Sequence, residues 1–172
     1  GRAAVLGAHG RYAAAARVYG QARSALARRD TPQAVALGID GAWLACLRGD
    51  HVRAEAGLDE ATAQLDAHPE LLSLRSTLHL VRADLRRRQE RFKEAHREAQ
   101  RAVGLVADGK REHPRRAAIL IVASRVHTAR SEFTAAERCA RRALQILRTM
   151  VAQSEHPRLS DGYVALGELH AA

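Results

Sequence analysis

The side chains able to do chemistry in this chain are arginines, histidines and two cysteines, with a single tryptophan among them. Arg82, Arg86, Arg87, Arg88 and Arg91 crowd together. Planar guanidinium forks suit carboxylates and phosphates, yet the same grouping at a helix end also offsets the helix dipole and solvates a face. The nine histidines show no i,i+4 pairing and no HExxH, so no metal-binding motif is written in the sequence. Cys46 and Cys139 stand far apart, outside any CxxC or Cys/His cluster, and read as ordinary buried thiols suited to a reducing compartment. There is no GxSxG, no P-loop and no converging acid pair, so the expectation is a non-enzymatic protein without a cofactor.

Composition bounds what these groups can belong to. A chain of 172 residues makes one domain with a sizeable core. Hydrophobic residues at 47% and charged residues at 27% describe a globular chain rather than a disordered one. No apolar run approaches the roughly 18 residues that span a bilayer, and no signal-peptide pattern is present. A cytoplasmic protein with no membrane partner is therefore expected. The formal charge of +9 comes almost wholly from arginine, since Lys93 and Lys110 are the only lysines. An alanine- and arginine-rich chain suits a GC-rich bacterial genome, and its positive field favours acidic partners.

The elements that must position these groups are repeats. "RQERFKEAHREAQRAV" (88–103) and "ARSEFTAAERCARRAL" (129–144) share an aromatic and three alanines at fixed places. The aromatic place falls at 12, 51, 92 and 133, and the small residue after it at 15, 54, 95 and 136, both with intervals of 39, 41 and 41. Upstream, Ala3, Ala42, Ala83 and Ser124 each precede a turn by seven residues, and a fifth copy beginning at Ser160 has Gly167 in that place. Agreement of separate registers marks a repeat protein. Small residues on facing sides let the two helices of a hairpin approach closely, the aromatic fills the gap beside the turn, and the next hairpin covers what remains. The turns fall at Gly10, Gly49, Glu90 and Ser131. Glycine takes positive φ at little cost, so the Glu90 and Ser131 turns are expected to differ slightly.

Periodicity places nine helices at 1–8, 11–29, 33–48, 50–67, 70–88, 91–107, 115–129, 132–153 and 158–171, with no strand. The fold class is all-α: an α-α superhelix, or solenoid, of about four antiparallel helix hairpins plus partial terminal helices, stacked in a right-handed sense. Its repeats run approximately 1–30, 31–68, 69–110 and 111–154, with a partial repeat over 155–172, in one domain over 1–172 that reads as a piece of a longer protein. Uncovered apolar faces at the ends, such as Leu166 and Leu169, point to end-to-end self-association or to a continuing array.

These repeats resemble the tetratricopeptide repeat (TPR). "YVALGEL" (163–169) matches the first-helix part of its signature and "GRYAAAARVYGQA" (10–22) the second-helix part. The period of 39 to 43 exceeds the family's usual period. "EHPR" at 112–115 and 155–158, with ten residues from Pro114 to Ser124 and from Pro157 to Gly167, is similar to the long repeats of kinesin light chains and of bacterial regulatory TPR proteins.

The resemblance implies a concave groove lined by the first helix of each hairpin. Carried over position by position, the groove receives Ile39, Trp43, Cys46 and Leu47 from repeat two and Leu80, Asp84, Arg87 and Arg88 from repeat three. Repeat four gives Ile121, Arg125 and Thr128, and the fifth helix gives Val164 and Glu168. An apolar row (Ile39, Leu80, Ile121, Val164) would then run beside a charged one. The lysine–asparagine clamp that some members use on a C-terminal carboxylate is absent, which disfavours chaperone-tail binding. Five of six aromatics sit at signature packing places, and Trp43 does not. It either fills the space left by Gly38 and Gly41 or anchors a ligand. The implied function is a scaffold that binds a peptide or protein segment carrying acidic and apolar residues, within a bacterial regulatory protein. Nucleic-acid binding is the rival reading, weakened because stacking aromatics are spent in the core. A ligand-sensing arm of a regulatory ATPase or transcription regulator shares the same fold.

Overall fold

The computed structural model describes residues 14, 17–22, 31–106 and 114–151. Six helices follow one another: α1 (Pro32–Leu47), α2 (His51–Asp66), α3 (Leu72–Arg88), α4 (Phe92–Gly104), α5 (Pro114–Ala129) and α6 (Phe133–Val151). Residues 17–22 are helical too, and no strand occurs among the described residues. The helices expected over this stretch are all present, and the boundaries that fall inside the described residues are shifted by at most two residues, except that α4 stops at Gly104 instead of 107. Glycine is a poor helix former, and the chain leaves the helix there. The expected helices at 1–8 and 158–171, most of 11–29, and the end faces with Leu166 and Leu169 lie outside the described residues.

Local signals explain the starts of the first two helices. Thr31 accepts a 3.3 Å hydrogen bond from the Ala34 N–H, with Pro32 at the first helical position where its missing N–H does no harm. Asp50 likewise caps α2 by accepting from the Arg53 N–H at 3.1 Å.

The three hairpin turns are one structure. Gly49, Glu90 and Ser131 all adopt positive φ, at 78°, 60° and 60°. In each, the next N–H reaches back five residues: Asp50 to Ala45 at 3.0 Å, Arg91 to Arg86 at 2.9 Å, Glu132 to His127 at 2.9 Å. The left-handed residue itself bonds three back, Gly49 to Cys46, Glu90 to Arg87 and Ser131 to Thr128. This is the Schellman motif, repeated at equivalent places. The expected difference at Glu90 and Ser131 is thus corrected. Both residues are held in the left-handed conformation that the stacked helices demand.

Helices pair as hairpins α1–α2, α3–α4 and α5–α6. Each second helix also packs on the next first helix (α2 on α3, α4 on α5), and the first helices touch in succession, α1 with α3 and α3 with α5. The first helices thus form a continuous row. One core cluster runs through α1, α2 and α3, with Ile39, Leu58, Leu65 and Leu85 fully enclosed. A second joins Ala117 and Ile121 of α5 to Ala143, Ile146 and Leu147 of α6. Between them, Ala83, Ala99 and Ala123 bring α3, α4 and α5 together.

The small places are contact points. Ala54, Ala95 and Ala136 are wholly buried. Ser76 and Ser124 are buried as well, and their hydroxyls donate to the carbonyl oxygens of Ala102 at 3.0 Å and Ala136 at 2.9 Å. The aromatic place behaves less simply. Phe92 is half-buried and Phe133 is 42% exposed. Each is the first residue of its helix, so the hairpin covers only one side of the ring.

Candidate binding surface

The row of first helices carries an electrostatic centre on α3. Asp84 is buried and accepts from three N–H groups. Arg87 gives its Nε at 3.0 Å and Nη2 at 2.8 Å to Oδ1, and Arg88 gives its Nε at 2.9 Å to Oδ2. The spacings i,i+3 and i,i+4 put all three on one helical face. Burial pushes the Asp84 carboxyl upward, but the Arg87 and Arg88 charges and hydrogen bonds outweigh it and hold it below its ordinary value. Two guanidiniums share one carboxylate, so the cluster keeps a net positive charge.

Cys46 of α1 lies within electrostatic reach of this cluster. Burial, reinforced by the Asp84 charge and opposed by Arg88 and Arg87, pushes its thiol up to about 11. Trp43, Cys46 and Leu47 share one face of α1 at i, i+3 and i+4. Of the three, Cys46 is fully buried, Leu47 is half-buried and Trp43 is exposed, and the two helices that carry Cys46 and the arginine cluster touch.

Trp43 is 36% exposed. Among the described residues, no heavy atom would lie within 4 Å of a Cβ added at Gly38 or Gly41. The indole therefore does not fill the space beside those glycines. They line a hollow with Tyr19, Gly20, Arg48 and Arg53 instead, where the Tyr19 hydroxyl donates to Asp40 at 3.4 Å. Burial and then the Asp40 charge push that phenol up to about 12.

The expected apolar row is corrected. Ile39 and Cys46 belong to the first core cluster and Ile121, 4% exposed, to the second. Helix–helix contacts consume their surfaces, leaving nothing to offer a ligand. Leu47 and Leu80 are half-buried and keep some apolar surface. Arg125 is half-buried and already engaged, and the Thr128 hydroxyl donates to the Ser124 carbonyl of its own helix at 3.1 Å. Val164 and Glu168 lie outside the described residues.

Two sets of contacts escaped the sequence reading. Arginines of α3 tie it to α2: Arg75 to Asp66 and Arg82 to Asp59, both at 3.1 Å, and Arg86 to Glu55 through a two-pronged contact. These are inter-repeat fasteners rather than a solvated face. The second set consists of carboxylates held between an imidazole and a guanidinium. Glu98 takes His79 Nδ1 at 2.6 Å on one oxygen and Arg101 at 2.7 Å on the other. Glu132 takes His127 Nδ1 at 2.6 Å on Oε2 and Arg130 at 2.8 Å on Oε1. The His96 ring stacks edge-on against His127, with centroids 5.2 Å apart. Repeat spacing aligns equivalent residues but does not show which side chains meet across a junction, so no signal in the sequence pointed to this group.

No protein-family profile and no curated protein sequence matches the chain. Among solved structures, the chain is similar to the nearly identical TPR-like repeats of a protein assigned as a kinesin light chain from Podosopora anserina. The match has a TM-score of 0.60 at 18% identity and covers 98% of this chain and 90% of that one. The fold is a TPR-like helical-repeat superhelix. No described helix is long and apolar enough to cross a membrane.

Proposed function

We propose that the chain is a non-enzymatic interaction module that holds an extended segment of a protein partner, acidic and partly apolar, along its row of first helices. The observation that supports this reading is the buried Asp84 carboxylate, which holds Arg87 and Arg88 side by side on α3, while Trp43 stands exposed on the neighbouring first helix α1. A prearranged pair of guanidiniums recognises carboxylates with little ordering cost, and the exposed indole on the adjoining first helix supplies apolar contact. Leu47 and Leu80 extend that contact. Ile121 falls out of the binding set because the core takes it up, whereas Arg125 and Glu168 stay in the proposed set. The repeat period and arginine-rich composition suggest a module within a larger bacterial regulator.

Trp43 is the only tryptophan, so its emission reports on this surface directly. Titration with peptides carrying glutamate beside leucine or phenylalanine should shift that emission, and raising the salt should weaken binding. Lysine-substituted versions should not bind. Trp43→Ala should weaken binding by more than about 1 kcal/mol, read with a labelled peptide, while the fold is retained. Equal binding of the acidic and basic peptides overturns the reading, and tight salt-sensitive binding of single-stranded RNA would favour the nucleic-acid alternative.

A further inference from the structure

We propose that His96, His127 and Glu132 form a binding site for a divalent transition-metal cation of the zinc class, clipping α4 to the α5–α6 turn. One ring nitrogen from each histidine and a carboxylate oxygen lie within 4.8 Å of one another. A tetrahedral zinc centre with bonds of about 2.0–2.2 Å holds its ligand atoms roughly 3.4 Å apart, so small side-chain rotations close the site. Two imidazoles and a carboxylate are an established zinc ligand set, with the fourth position left to water. Imidazole nitrogens select zinc, cobalt, nickel or copper over calcium and magnesium, which prefer oxygen.

The surroundings prearrange the ligands. His96 and His127 meet edge to face at 71°, and the Schellman turn fixes His127 and Glu132 relative to each other through their backbones. Arg130 occupies Oε1 of Glu132, which leaves Oε2 on the imidazole side. Such outer contacts orient a ligating carboxylate. On binding, the metal takes the place of the proton between His127 Nδ1 and Glu132 Oε2, and the neutral ring then carries its proton on Nε2 while Nδ1 ligates. The charge of Arg130 opposes a cation and sets the affinity below that of dedicated structural zinc sites. All three ligands are half-buried, so solvent and metal can reach them.

The molecule contains its own control. His79, Glu98 and Arg101 reproduce the histidine–carboxylate–arginine arrangement, but among the described residues no third ligand joins them. The test is titration of the tag-free chain with Co²⁺, followed by its visible d–d absorption, and competition by Zn²⁺ followed by calorimetry. One site per chain is expected, with Zn²⁺ raising the melting temperature and EDTA reversing the rise. His96→Gln and His127→Gln should each weaken Co²⁺ binding by about tenfold or more, whereas His79→Gln should leave it unchanged. If His127→Gln perturbs the turn, His96→Gln decides alone, because its half-exposed ring can be exchanged without opening the core. Absence of Co²⁺ binding, or binding that survives His96→Gln undiminished, overturns the proposal.

Discussion

The hydroxyl of Ser124 donates a 2.9 Å hydrogen bond to the carbonyl oxygen of Ala136, and both residues are 0% exposed. They are the small places of the two helices of one hairpin, pressed together at their crossing. Ala42 and Ala83 hold the place of Ser124 in the two preceding hairpins, so size is the shared requirement and the hydroxyl is an addition.

Replacing Ala136 or Ala95 by leucine should overpack the crossing and cost roughly 1–3 kcal/mol in urea unfolding. Ser124→Ala removes one hydrogen bond and no volume the neighbours need, so a loss of about 1 kcal/mol is expected. A neutral Ala136→Leu would show that the crossing lies elsewhere.

Glu90 and Ser131 occupy left-handed positions that cost a residue with a Cβ about 1–2 kcal/mol. Glu90→Gly and Ser131→Gly should therefore stabilise the chain, each raising the melting temperature by about 2–4 °C per kcal/mol gained. Gly49→Ala should do the opposite. Melting curves of the three variants check the pattern.

Glycines inside helices behave according to what stands opposite them. Gly38→Ala and Gly41→Ala place a methyl group in open space and should each stabilise by about 0.5–1 kcal/mol. At Gly57 the added Cβ would lie 3.1 Å from Ala42 Cβ, so the helical gain is opposed and no net stabilisation is expected. Chemical denaturation of the three variants side by side checks this ordering.

Asp84 gives the chain an acid-sensitive component. Its folded pKa lies below the ordinary value of 3.8, so the folded state holds its proton more weakly than the unfolded state does. The associated stability is fully present above the unfolded pKa and is lost as pH falls through the folded one. Asp84→Asn should cost about 1.5–3 kcal/mol near neutrality, by weakening charge-assisted hydrogen bonds. It should also flatten the decline of stability below about pH 4. Unfolding free energies of parent and variant measured across that range should converge. Parallel curves would mean that Asp84 titrates alike in both states.

The helices were legible because alanines at a fixed period must face one another whatever else the chain does. Trp43, Asp84, Arg87 and Arg88 could be placed on first helices for the same reason. The side of the helix was harder to read. Ile39 and Ile121 occupy groove positions by analogy, yet in this longer repeat they turn into the core. The φ of Glu90 and Ser131 is imposed by helix ends and stacking, which overrule the preference of the residue itself. The pairings of Arg82 with Asp59 and of His96 with His127 depend on the rotation between successive hairpins, and no single hairpin encodes that angle.

Hairpins that touch mainly their neighbours are linked in series, so a pull along the array is borne at every junction alike and extension adds from one to the next. The α2–α3 junction carries Arg75–Asp66, Arg82–Asp59 and Arg86–Glu55 along the length of the helices, and these ties must slip together before the hairpins part. Shear between those two hairpins would therefore meet all three ties at once, whereas peeling them apart would meet the ties one by one.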